Sequence, residues 1–100
     1  MSVESYYQHN AALEGLIRSI AKESGKVFFP TRDSNHLGDI SISLIFATLE
    51  QGVVHLNPEP NEYEHITCTL KHEVSGVVIC LDLAIDVKAK EIHILHAEED

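Results

Sequence analysis

The last third of the chain alternates between apolar and polar positions. Ile66, Cys68, Leu70, His72 and Val74 are separated by Thr67, Thr69, Lys71 and Glu73. After Ser75-Gly76, the residues Val77, Ile79, Leu81, Leu83, Ile85 and Val87 are interleaved with Val78, Cys80, Asp82, Ala84 and Asp86. Ile92, Ile94 and His96 keep the same period around His93 and Leu95. A period of two puts successive side chains on opposite faces of a strand. The pattern therefore predicts strands over 64–74, 77–87 and 91–97, joined by short turns as a three-strand meander. A two-residue turn at Ser75-Gly76 sets Ile66 opposite Ile85, Cys68 opposite Leu83, Leu70 opposite Leu81 and His72 opposite Ile79. A second turn at Ala89-Lys90 sets Val87 opposite Ile92 and Ile85 opposite Ile94. The large apolar pairs then share one face, and a one-residue slip would scatter them over both.

Residues 3–24 carry a different period. Leu13, Leu16, Ile17, Ile20 and Ala21 form one helical stripe, which Tyr6 extends toward the N-terminus, and Ser5 with Gln8 fits a capping box. Lys26 to Pro30 reads as a short strand ended by proline, and residues 31–38 as a polar loop. Residues 40–49 are ambiguous. Ile40, Ile42 and Leu44 alternate with Ser41 and Ser43, which predicts a strand; the competing version is a helix over 40–51, capped by Asp39 and ended by Gly52. A strand over 53–57 follows, and Asn57-Pro58-Glu59-Pro60-Asn61-Glu62 is a loop because two prolines lack amide donors. The expected architecture is a single α+β domain over 1–100: one N-terminal helix on a five- to six-stranded, mostly antiparallel sheet.

Charge narrows the function. Sixteen acids face seven Lys and Arg, a net charge of −9. The imbalance is placed unevenly. Arg18, Lys22, Lys26 and Arg32 balance the acids of the first third, whereas only Lys71, Lys88 and Lys90 stand among those that follow. Direct nucleic-acid binding draws on Lys and Arg, and anionic membrane surfaces attract the same residues, so neither is expected as a partner. The start of the chain shows no basic and apolar leader, which leads to the expectation of a cytoplasmic protein with reduced thiols. Cys68 and Cys80 are expected on opposite faces of one sheet, which disfavours a bridge between them.

No phosphate loop, nucleophile elbow or zinc-finger spacing is present, and neither enzymatic activity nor a cofactor is expected. The inferred register creates one constellation on the polar face, with Asp86 between His65 and His93. Two imidazoles and a carboxylate are a weak candidate for a metal site and, more simply, an exposed charge cluster. His93 and His96 are three apart, an odd separation that puts them on opposite faces of a strand, with His96 at the core rim. The acidic surface fits a small protein-binding inhibitor, such as an immunity protein that neutralises a bacterial toxin of nuclease type with a basic cleft. A nucleic-acid mimic of phage anti-defence type, or a small His/Asp metal-binding enzyme, is the alternative. Expected partner contacts are Asp33, Asp39, Glu59, Glu62, Tyr63, Glu64, Asp82 and Asp86.

Overall fold

The computed structural model describes residues 4–30, 40–55 and 58–100. It contains helices α1 (Glu4–Gln8), α2 (Asn10–Ala21) and α3 (Ile42–Gln51). The strands are β1 (Val27–Phe28), β2 (Val53–Val54), β3 (Glu59–Pro60), β4 (Ile66–Val74), β5 (Val77–Asp86) and β6 (Glu91–Glu99). All six strands form one sheet in the order β1-β6-β5-β4-β2, with β3 also on β4. The β1–β6 pair is parallel and the others are antiparallel.

The N-terminal segment is two helices rather than the single one expected over 3–24. His9 is extended between them, at φ −129° and ψ 100°. A continuous helix would carry polar His9 and Asn10 in the stripe between Tyr6 and Leu13. The break instead lets Tyr6 and Tyr7 both pack against the core. Ser5 lies inside α1, so it does not start a helix as a cap. In α2, Leu13, Ile17, Ile20 and Ala21 are buried, as their spacing requires.

The expected strand over 40–49 is a helix from Ile42 onward. The Leu44 N–H donates to Ser41 Oγ at 3.2 Å, so Ser41 is the cap, not Asp39. The alternation of Ile40, Ile42 and Leu44 stops at Ile45-Phe46. From there Ile45, Thr48 and Leu49 take the i, i+3, i+4 spacing of a buried helical stripe, at the cost of leaving Ile42 exposed. Thr48 is fully buried, and its hydroxyl is satisfied by donating to the Leu44 carbonyl at 2.9 Å. Arg18 Nε donates to the Glu50 carbonyl at 2.7 Å and joins α2 to α3. The Val54 N–H donates to Glu14 Oε2 at 2.8 Å and joins α2 to β2. The buried apolar residues of both helices enter one cluster with Ile66, Leu70, Ile79, Leu81, Leu83, Ile85 and Ile92.

The β4–β5 register is the expected one, from Ile66 opposite Ile85 to Val74 opposite Val77. Its turn has Ser75 at φ 53° and Gly76 at φ 83°, the two left-handed residues of a type I′ hairpin. The β5–β6 register differs from expectation. Ile92 pairs with Ile85 and Ile94 with Leu83, two residues away from the expected partners. Ala89-Lys90 lacks the Gly or Asn that a tight primed turn favours, and the chain uses a longer turn over 87–90. In it the Ala89 N–H donates to Asp86 Oδ1 at 3.1 Å and Lys90 takes φ 56°. A shift of two preserves faces, so Ile92 and Ile94 still reach the core.

Candidate protein-binding face

One broad face of the sheet is covered by α2 and α3. The opposite face has no helix on it among the described residues. It is built by the alternate positions of four strands: Phe28 on β1; Glu91 and His93 on β6; Asp82, Ala84 and Asp86 on β5; Thr67, Thr69, Lys71 and Glu73 on β4. Val53 joins them opposite Lys71.

A register shift between Asp82 and Leu83 alters β6 within this face. Leu83 pairs with Ile94 and Asp82 with His96, so Leu95 has no partner across the ladder. It is the extra residue of a β-bulge. The bulge re-aims everything after it. Ala97 rather than His96 enters the core, and His96 lies on the helix-free face opposite Asp82 instead of at the core rim. Leu95 stands on the surface, 44% exposed. Beside it is an open cleft of about 560 Å³ that Glu59, Thr67, Thr69 and Asp82 also line. Thr69 Oγ1 donates to Asp82 Oδ1 at 2.7 Å, and Thr67 Oγ1 donates to the Glu59 carbonyl at 2.8 Å.

The His65, Asp86 and His93 row is brought together, with one change. His65 Nε2 lies 3.4 Å from Asp86 Oδ2, as the β4–β5 register requires. Asp86, however, pairs with Glu91, and His93 pairs with Ala84 and sits 3.4 Å from Glu91 Oε1. Ala84 is small enough for the two imidazoles to meet above it. Their rings stack at 5.9 Å with an interplanar angle of 10°. Phe28 stacks on His93 at 5.1 Å and Tyr63 tilts against His65 at 6.0 Å, giving a row of four rings across the sheet. The ring roof accounts for Ala84 being only 3% exposed on a face without helices. Stacked imidazoles hold their nitrogen lone pairs side by side, whereas a shared metal ion needs them to converge. Among the described residues, no group of three or more His, Cys, Asp or Glu is arranged to hold a metal ion. The Asp86 carboxyl is held below the usual carboxylate range, chiefly by the Ala89 N–H and then by His65 and His93.

Of the other expected contacts, Glu62, Tyr63 and Glu64 are exposed on the turn between β3 and β4, where Asn61 Oδ1 accepts from the Tyr63 and His65 N–H groups. Asp33 and Asp39 lie outside the described residues. Glu59 and Asp82 meet at the cleft; Asp86 stands with the ring row. Sequence reasoning missed Leu95, Phe28 and Val53, which are apolar and exposed on this same face. Phe28 and Val53 carry a readable signal, since each is the outward neighbour of a buried valine. Leu95 carries none, because a bulge leaves the alternation of Ile92 and Ile94 intact up to the residue it displaces.

Cys68 and Cys80 are both free and buried, on opposite faces of the sheet. Burial pushes the Cys68 thiol up to about 12, with Asp82 adding to it. Burial raises the Cys80 thiol as well, against the opposing charge of Lys71, so neither sulfur is poised as a nucleophile. No helix among the described residues is long and apolar enough to cross a membrane. Comparison with protein-family models, with curated proteins and with solved structures finds no significant match to the chain.

Proposed function

We propose that this chain is a protein-binding inhibitor that docks a basic partner on its helix-free face, as an immunity protein does when it neutralises a nuclease-type toxin. One observation carries the reading: acids and exposed apolar side chains coincide on that face. Glu59, Glu73, Asp82, Asp86, Glu91 and Glu98 stand there against Lys71, the one Lys or Arg placed among them in the described strands. Among and beside them Phe28, Val53 and Leu95 are exposed, and Tyr63 at the rim is 70% exposed. Apolar and aromatic anchors supply most of the energy of an interface, while charge complementarity selects the partner and speeds encounter. A wholly acidic face would only solubilise; a wholly apolar one would aggregate.

The test is capture on the immobilised chain, followed by kinetics with the purified partner. The expected partner is basic, loses its activity when the chain is added in equal amount, and associates more slowly as salt rises. Charge reversals at Glu62 and Asp82 to lysine slow association further and flatten its salt dependence. An acidic partner, or association indifferent to salt and to both reversals, overturns the reading.

A further inference from the structure

We infer that the cleft beside the β6 bulge is a socket for one long cationic side chain, an arginine, of the basic partner; the inference rests on the proposed docking of that partner on this face. The cleft has the volume of a site for a small group, and its walls are of two kinds. Leu95, displaced by the bulge, offers an apolar wall for the methylene stem. Asp82 and Glu59 offer carboxylates for the head, and among the described residues no Lys, Arg or His lines the cleft. An anionic occupant would be repelled by the two carboxylates, so charge complementarity favours a cation. The stem wall selects a side chain over a small inorganic ion.

The socket is also set in place before any partner arrives. Asp82 Oδ1 accepts from the Thr69 hydroxyl at 2.7 Å, which fixes the carboxylate. Glu59 is carried on β3, which pairs with β4 and whose backbone is held there by the Thr67 hydroxyl donating to the Glu59 carbonyl. Guanidinium presents a planar fork of N–H donors that can address both carboxylates at once; an ammonium is a point charge that keeps its water more tightly. Arginine is therefore expected to be preferred over lysine.

The experiment titrates the whole chain, labelled for amide NMR, with a blocked tetra-arginine peptide, its tetra-lysine counterpart, and the same peptide with neutral citrulline. The expected result is saturable tetra-arginine binding with amide shifts centred on Thr69, Asp82 and Leu95. Lysine binds more weakly and citrulline does not bind. Asp82→Asn keeps the acceptor for Thr69 and should weaken arginine binding about tenfold, equivalent to about 1.4 kcal/mol. Leu95→Ser should weaken it several-fold, and Glu73→Gln, on the same face away from the cleft, by less than twofold. Thermal melts of each variant establish that the fold persists. Shifts spread evenly over the acidic face, with all three variants alike, overturn the socket and leave the acidic docking face standing. Lysine binding as well as arginine overturns the choice of guanidinium. No saturable binding of either cationic peptide counts against socket and docking face together.

Discussion

Gly52 and Gly15 should respond to the same substitution with opposite signs. Gly52 ends α3 at φ −70° and ψ 160°, a backbone that any residue adopts, so conformational freedom is not the reason for glycine there. Space is. A Cβ on Gly52 would lie 2.5 Å from the Thr48 carbonyl oxygen, 3.1 Å from that of Lys71 and 3.3 Å from Thr48 Cγ2. The two closest are backbone atoms, and Thr48 is fully buried, so neither yields cheaply. The Thr48 oxygen also accepts from the Gly52 N–H at 2.7 Å, and moving it away strains that bond. Overpacking of this kind costs ~1–3 kcal/mol. A weakened hydrogen bond adds ~1 kcal/mol. Loss of glycine's entropy in the unfolded chain offsets about 0.4–1 kcal/mol. Gly52→Ala is therefore expected to destabilise by roughly 2 kcal/mol, which lowers the melting temperature of a domain this size by about 10 °C. Gly15 is exposed in the middle of α2 with nothing within 4 Å of its Cβ position. Gly15→Ala should stabilise by ~0.5–1 kcal/mol and raise the melting temperature by a few degrees. Thermal unfolding followed by circular dichroism reads both. A Gly52→Ala protein that melts within about 2 °C of the parent would refute the close-approach argument.

Three further outcomes are expected. Native-state thiol labelling near pH 8 should be slow at both cysteines and slower at Cys68, with full reaction of both in denaturant; rapid labelling of Cys68 in the native protein would contradict its burial. Asp86 has a depressed folded pKa, so its contribution is present above its unfolded pKa and lost as pH falls through the folded one. Asp86→Asn should cost no more than ~1 kcal/mol near neutral pH and reduce the loss of stability on acidification, read by denaturant titration across pH. Glu14→Leu should destabilise by ~1–2 kcal/mol, because the Val54 N–H loses its acceptor beneath α2, while Glu14→Gln, which keeps an amide oxygen there, should recover about half; equal losses would show that the bond is not made.

The sheet was legible where burial and turn chemistry agree. The β4–β5 pairing follows from period two and from a Ser-Gly turn, and both cues point to the same register. The β5–β6 pairing was legible in face but not in partner, because period two fixes a strand only to within an even slip. Residues 40–49 misled because five alternating positions precede a helical stripe that only Ile45, Thr48 and Leu49 reveal, and Thr48 does not read as a core residue until its hydroxyl is seen bonded to Leu44. The break at His9 was visible only as a polar gap in an apolar stripe. At the candidate face, His65 and Asp86 were predictable neighbours since they rest on the secure hairpin. Leu95 and its cleft were not, since a bulge is a departure from the very periodicity that identifies a strand.

That bulge makes the surface feature separable from the fold. If Leu95 were deleted, Ile94 would be followed directly by His96 and then Ala97. The strand would alternate without interruption, core, open face, core, with every present ladder partner kept. The chain can therefore be shortened by one residue at this point with no buried side chain reassigned, and what is lost is the protruding leucine alone. Insertion or removal at this single position is a route by which related sequences gain or shed an exposed apolar side chain while the scaffold stays the same. It also gives the experimenter a variant that subtracts a contact and changes no charge.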